Sequence, residues 1–348
     1  MMSVLPSQEG LLYLGCFLAA LLLSALLTPC MRWIAVRFHI LDRPWSDVKT
    51  HKKAVPYLGG VAVALGLTIA LLGARFFTQF PTGTLHSLRG IFFGGSIVLA
   101  LGLADDLKPK GLGFKSKFVF QIAAAVALVM FDIRIKFISP SWFAKVMTVV
   151  WIVGVINAVN IVDIMDGLAS GLGAIASMAF LFISLPSEEI YVNFAAAALA
   201  GALLGFIPYN LSKRLKIFLG DTGSLLIGFM LAALSLGTSY SRVNNLGVFA
   251  PILILGLPLY DTFLVTTLRL QRGLSPFLGS RDHFALRLER HGFFREEILL
   301  MSYAISLSLC FAAYEVTTVQ KYFAMAIYGA TAVVAFALGA WLARIPID

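Results

Sequence analysis

Long apolar runs, broken by short polar segments, set the pattern of this chain. Runs of about 20 residues, apolar on every helical face, recur near 11–31, 57–77, 88–104, 118–132, 143–162, 167–186, 190–209, 222–240, 246–268, 297–315 and 321–343. Roughly 20 apolar residues carry a helix across a bilayer. The pattern therefore predicts an all-α, polytopic integral membrane protein with about eleven transmembrane helices, forming one domain over residues 1–348. A β-barrel would need strands that alternate apolar and polar positions, and these runs do not alternate. The run from Leu11 to Met31 has the hydropathy of a secretory leader. No basic residue precedes it and no small-residue cleavage site stands out, so it reads as the first span.

Composition sharpens this picture. Hydrophobic residues make up 59% of the chain and charged residues 13%, with a mean hydropathy of +0.89. Soluble domains carry about a quarter charged residues, and disordered chains carry few apolar ones, so both classes are excluded. Cys16, Cys30 and Cys310 all lie inside apolar runs and read as core thiols, not as a disulfide or zinc framework. No convincing internal repeat is present.

Of the 27 Lys and Arg residues, 20 fall in 32–56, 105–117, 210–220, 269–296 and the C-terminal tail. The positive-inside rule then places those segments in the cytoplasm, the N-terminus outside and the C-terminus inside. The net charge of +9 is mostly this topology signal. Nucleic acid is not an expected partner, since no soluble basic domain exists to bind it. The connections on the cytoplasmic side are the longer ones and hold nearly all the unusual polar groups.

Four polar clusters carry candidate chemistry. Asp105-Asp106 close the third span at a helix C-terminus, where the dipole disfavours anions. They call for a cation, either one of Lys108, Lys110, Lys115 and Lys117 or a metal ion. Asn157, Asn160, Asp163 and Asp166 recur every third position in an apolar segment ending at Gly167. Such neighbours lie about 60° apart on a helix, so all four converge only if the helix unwinds. The alternative is a hydrogen-bonding seam between helices. Phe218-Leu219-Gly220-Asp221-Thr222-Gly223 opens the eighth span with backbone N–H donors suited to phosphate; alternatively Asp221 caps the helix. The loop 272–295 carries His283, with Phe284 and Leu288 on one helical face beside Arg287 and Arg290, a pattern of a helix lying on the membrane. Asp261 in the ninth span, and His51-Lys52-Lys53 before Pro56-Tyr57-Leu58-Gly59-Gly60, complete the set.

In this order the motifs resemble those of the polyprenyl-phosphate N-acetylhexosamine-1-phosphate transferases. The resemblance covers roughly 45–295, and the span pattern extends it along the chain. It implies transfer of a HexNAc-1-phosphate, GlcNAc-1-phosphate in the first instance, from a UDP-sugar to undecaprenyl phosphate. The products are a lipid diphosphate sugar and UMP, initiating a cell-surface polysaccharide, with Mg²⁺ required. It further implies a bacterial inner-membrane location, the bilayer and a homodimeric second copy as partners, and an active site built from cytoplasmic loops 32–56, 105–117, 157–167, 210–222 and 269–296.

By similarity, Asn160 and Asp221 hold Mg²⁺, Phe218 stacks on uracil, and Asn157, Asp163 and Asp166 serve the nucleotide. Asp105 is the base acting on the lipid phosphate, with Asp106 and Lys117 beside the reacting groups. Lys52 holds that phosphate, and His283 and Arg287 reach the diphosphate or sugar. Two departures stand out. Ile164 replaces the first Gly of the usual Asp-Gly-x-Asp-Gly, and the loop keeps one histidine of the usual two or three. The single loop histidine and the eleven expected spans, against a run of three histidines and ten spans in the peptidoglycan-type enzymes, favour the O-antigen or teichoic acid branch. The competing readings are a transporter or lipid flippase, which predicts repeated halves and helices broken at mid-membrane, and a non-catalytic relative that binds undecaprenyl phosphate.

Overall fold

The computed structural model describes residues 8–42, 54–108, 111–187, 190–277 and 279–346. Within them each expected span is helical: α1 (Gln8–Arg37), α2 (Gly59–Phe77), α3 (Thr82–Leu107), α4 (Phe114–Met130), α5 (Ser141–Val162), α6 (Leu168–Ser184), α7 (Ile190–Asn210) and α8 (Gly220–Gly237), then α9 (Ala250–Ile254), α10 (Gly256–Gln271), α11 (Phe284–His291), α12 (Arg295–Thr318) and α13 (Lys321–Ala343). Among the described residues, eight helices are long and apolar enough to span a bilayer, or nine if the pair Asn245–Ile254 and Gly256–Gln271, bent by 71°, counts as one span. α4 and α6 have 17 residues each, or about 25 Å of helix, at the lower limit for crossing.

The bend in the ninth span has a covalent cause. Pro258 has no N–H to donate to the carbonyl of Ile254, which ends the ladder at the α9–α10 junction. The sequence pattern, read as one continuous run over 246–268, does not reveal that break. A two-residue antiparallel ladder, β1 (Leu41–Asp42) with β2 (Val55–Pro56), joins α1 to α2.

α7 and α8 form the interior. α8 is packed by α2, α3, α5 and α6, while α1, α2 and α6 close around α7. Ala195 to Ala198 and Leu199 of α7 are wholly buried. Small side chains let backbones approach closely where no hydrophobic drive separates helix from lipid. The outer helices keep large apolar groups exposed, including Leu22 and Leu26 on α1, Phe311 on α12 and Phe336 on α13, which suits a surface covered by lipid tails. Cys16 and Cys310 are buried as expected; Cys30 is instead exposed, because its position on α1 turns outward.

One end of this bundle is fastened by backbone contacts. Pro56 O accepts the Phe218 N–H at 2.9 Å, and the N–H groups of Gly59 and Gly60 reach Phe218 O at 3.0 Å and Leu219 O at 2.8 Å. Gly60 lies flat against the first turn of α8: a Cβ there would stand 2.5 Å from Gly223 Cα and 2.8 Å from the Thr222 carbonyl carbon. Backbone lies on both sides, so no side chain can yield.

Gly60→Val is therefore expected to destabilise the protein by roughly 1–3 kcal/mol through overpacking. Thermal unfolding in detergent checks this, with Gly113→Ala as the neutral comparison because its site is open.

Candidate active site

Asp105 and Asp106 lie in the last turn of α3, and Asp221 in the first turn of α8. Asp106 joins the two. Its Oδ1 accepts the Asp221 N–H at 2.8 Å; its Oδ2 accepts the Thr222 N–H at 3.0 Å and the Thr222 hydroxyl at 2.6 Å. The first N–H groups of a helix have no partner inside it, and the positive end of α8 favours a carboxylate there. The donors expected from sequence to receive a phosphate are thus taken by Asp106, and the cap of α8 comes from α3, not from Asp221.

The second carboxylate points the other way. Asp105 Oδ1 accepts the Leu112 N–H at 2.5 Å, and its Oδ2 lies 3.0 Å from Lys117 Nζ. The same ammonium lies 2.5 Å from Asp221 Oδ2. One oxygen from each of Asp105, Asp106 and Asp221 falls within 4.8 Å of the others. Asn160 Nδ2 donates to Asp221 Oδ1 at 3.1 Å and to Ser224 Oγ at 2.9 Å. Among these side chains, the one cation, Lys117, faces three carboxylates. Clustered hard oxygen donors with surplus negative charge suit a divalent cation, and Asp105, Asp106 and Asp221 could hold one.

α5 unwinds after Val162, as convergence of the Asn/Asp series requires. Gly167 takes φ +80° and opens α6. Its N–H donates to Asn210 Oδ1 at 2.6 Å and its carbonyl accepts the Tyr303 hydroxyl at 2.6 Å. Asn210 Nδ2 in turn holds Ile217 O at 3.0 Å. Asn160, Asp163 and Asp166 thereby face one cleft of ≈ 280 Å³, lined also by Asp42, Tyr57, Lys216, Phe218 and Asp221. Burial pushes the Asp163 carboxyl well above the usual carboxylate range, and Asp221, Asp166 and Asp106 add repulsion. Lys216 pairs with Asp166 at 2.6 Å and stands 5.3 Å from the centre of the Phe218 ring.

Asn157 is a correction. It does not line the cleft: its amide nitrogen donates to Gln121 Oε1 at 2.7 Å and to Val153 O at 2.8 Å. It forms a hydrogen-bonded seam between α5 and α4.

The loop after α10 gives a second correction. Arg287 is 0% exposed. Its guanidinium donates to Asp282 Oδ1 at 2.7 Å, Asp282 O at 3.1 Å, Ile345 O at 2.7 Å and Leu342 O at 3.0 Å. These bonds tie the loop to the end of α13. Burial works against the charge of Asp282, but hydrogen bonds from Ser280 and Arg287 and the charge of Arg272 outweigh it, so its carboxyl sits below its ordinary range.

His283 is also buried, with Nδ1 2.8 Å from Asp261 Oδ2, and Asp261 Oδ1 accepts the Phe284 N–H at 2.8 Å. Asp261 thus fixes the start of α11. That helix does not lie on the membrane: Phe284 and Ala285 are buried within the protein. Ser280, Leu286 and Arg295 are the residues this region brings to the cleft. Lys52 lies outside the described residues. Sequence reasoning missed Asp42, Asn210 and Lys216; of these, Lys216 had a signal, a cation two residues before the singled-out Phe218.

Residues 88–239 match the glycosyl transferase family 4 model. The chain is 29% identical over 298 residues to the probable undecaprenyl-phosphate N-acetylglucosaminyl 1-phosphate transferase of Bacillus subtilis, covering 83% of this chain and 80% of that protein. It is 30% identical over 318 residues to the decaprenyl-phosphate N-acetylglucosaminephosphotransferase of Mycobacterium leprae, covering 82% and 79%. It is 28% identical over 318 residues to the undecaprenyl-phosphate alpha-N-acetylglucosaminyl 1-phosphate transferase of Yersinia pestis, covering 88% and 83%.

The two adjacent acids have different tasks and should separate by experiment. Asp106→Ala is expected to remove about 1.5–3 kcal/mol of stability by orphaning the first N–H groups of α8. Asp105→Ala, next to an ammonium that keeps Asp221, should unfold within a few degrees of the parent. Thermal melting of both purified variants checks the difference.

Proposed function

The chain belongs to glycosyl transferase family 4, and we propose that it transfers N-acetylglucosamine-1-phosphate from a UDP-sugar to undecaprenyl phosphate, releasing UMP. The observation that carries this reading is the meeting of Asp105, Asp221 and Lys117 at one end of a cleft whose other wall holds Phe218 and Asp166. Relatives that use undecaprenyl or decaprenyl phosphate support it. The multi-pass bundle sits in the bacterial inner membrane with this cleft toward the cytoplasm, as its Lys and Arg distribution favours.

In the reaction an oxygen of the lipid phosphate attacks the sugar-bearing phosphorus of the donor. The bond from that phosphorus to the bridging oxygen breaks, and UMP leaves. Two anions must therefore approach one another. Asp105 takes the remaining proton of the lipid phosphate and leaves it fully nucleophilic. Lys117 holds Asp105 and Asp221 side by side and screens the incoming charge. Phe218 offers its ring to the uracil, with Asp166 and Asp163 at its border. Lys216 and Arg295, the cations that line the cleft, take the diphosphate contacts first sought in Arg287. His283, held by Asp261, anchors the loop between Ser280 and Arg295. Lys52 serves the lipid phosphate. Asp221 and Asn160, with Asp105 or Asp106, are the oxygen donors for Mg²⁺. The bound ion supplies charge neutralisation on the diphosphate and alignment for in-line displacement.

Purified protein with undecaprenyl phosphate, Mg²⁺ and UDP-GlcNAc should release UMP in step with a lipid-linked sugar. No release with any donor of a UDP-HexNAc panel would overturn the enzyme reading. Asp105→Asn and Asp221→Asn are each expected to lower turnover roughly 100-fold or more while the protein stays folded; near-parental rates would remove the assigned role.

A further inference from the structure

A second cavity lies away from the acidic cleft. It measures ≈ 680 Å³ and is walled by Ile135, Phe137 and Ile138 of the α4–α5 connection, Met147, Val150 and Trp151 of α5, and Val248, Phe249, Pro251 and Ile252 around α9. The end of α8 and the following turn, Ser235 to Ser241, close it. α8 begins at the cleft with Asp221 and reaches this cavity at Ser235, about 21 Å further along its axis. The two sites thus occupy opposite ends of the bundle.

Its chemistry is graded. The body is apolar and open on the lipid-facing side, where Val150 is 59% and Ile252 46% exposed. Two cations, Arg134 and Lys136, stand on its rim against a single acid, Asp132. A soluble apolar ligand would not need the rim charge, and a free anion would not need the apolar body.

We propose that this cavity binds an anionic phospholipid of the adjacent leaflet, with an acyl chain along Val150, Trp151 and Ile252 and the headgroup phosphate at Arg134 and Lys136. The surplus positive charge of the rim argues for an anionic headgroup over a zwitterionic one. No residue of the acidic cleft takes part, so the assignment stands independently of the transfer reaction.

Trp151 reports on occupancy directly. The protein is reconstituted with phosphatidylglycerol or phosphatidylcholine bearing brominated acyl chains, and Trp151→Phe isolates the quenching of that one indole. Quenching by the phosphatidylglycerol is expected at several-fold lower lipid fraction than by the phosphatidylcholine. Arg134→Gln and Lys136→Gln should each weaken that preference by about fivefold, while UMP release and melting temperature stay at parental values. Equal quenching by both lipids, no Trp151 component, or displacement of phosphatidylglycerol by an equal fraction of undecaprenyl phosphate would overturn the assignment.

Discussion

A carboxylate held between two helix ends is the contact on which this architecture turns. α3 ends where α8 begins, and Asp106 fills the junction with three hydrogen bonds to the first turn of α8. A carboxylate at a helix C-terminus alone is disfavoured. Here the positive end of α8 offsets that penalty, so the two helices are locked tip to tip. The lock brings Asp105 to Lys117 and Asp221, and the strap from Pro56 to Gly60 fixes Phe218 beside them. Without that junction the acids would belong to separate helices with no reason to share a pocket.

Much of this was legible in the chain. Because hydrocarbon forces backbone groups to pair within each segment, apolar length located the long helices, though not the break between α9 and α10 or the short α11. The acidic pair, the Asn/Asp series and the Gly-Asp-Thr-Gly turn were each marked by polar residues in apolar surroundings, where they need a partner. Sequence could not divide those residues by depth. Asn157 and Asn160 differ by one turn, yet one meets Gln121 and the other Asp221. Arg287 is assigned to the diphosphate or sugar by the resemblance alone. Its partners, the carbonyls of Leu342 and Ile345, lie more than 50 residues away and leave no local trace. The acid at Asp261 read equally as structure or function. Its two hydrogen bonds to His283 and Phe284 make it the anchor of the loop.

The two ends of the bundle divide the labour by chemistry. One is acidic, tightly hydrogen-bonded and walled by short connections around Gly167 and Gly220. The other is apolar with a basic rim, and its lining comes from helix ends exposed to lipid. α5 and α8 run between them, and carry Asn160 and Asp221 at the acidic end.

The shared acidic pocket is tested most directly by counting the divalent ions it takes. Mn²⁺ titrated into purified protein and followed by electron paramagnetic resonance should show one tight site per chain, displaced by Mg²⁺. That site should vanish in Asp221→Asn and weaken in Asp105→Asn. A site that survives both substitutions unchanged, or no bound ion in the folded parent, would contradict the account.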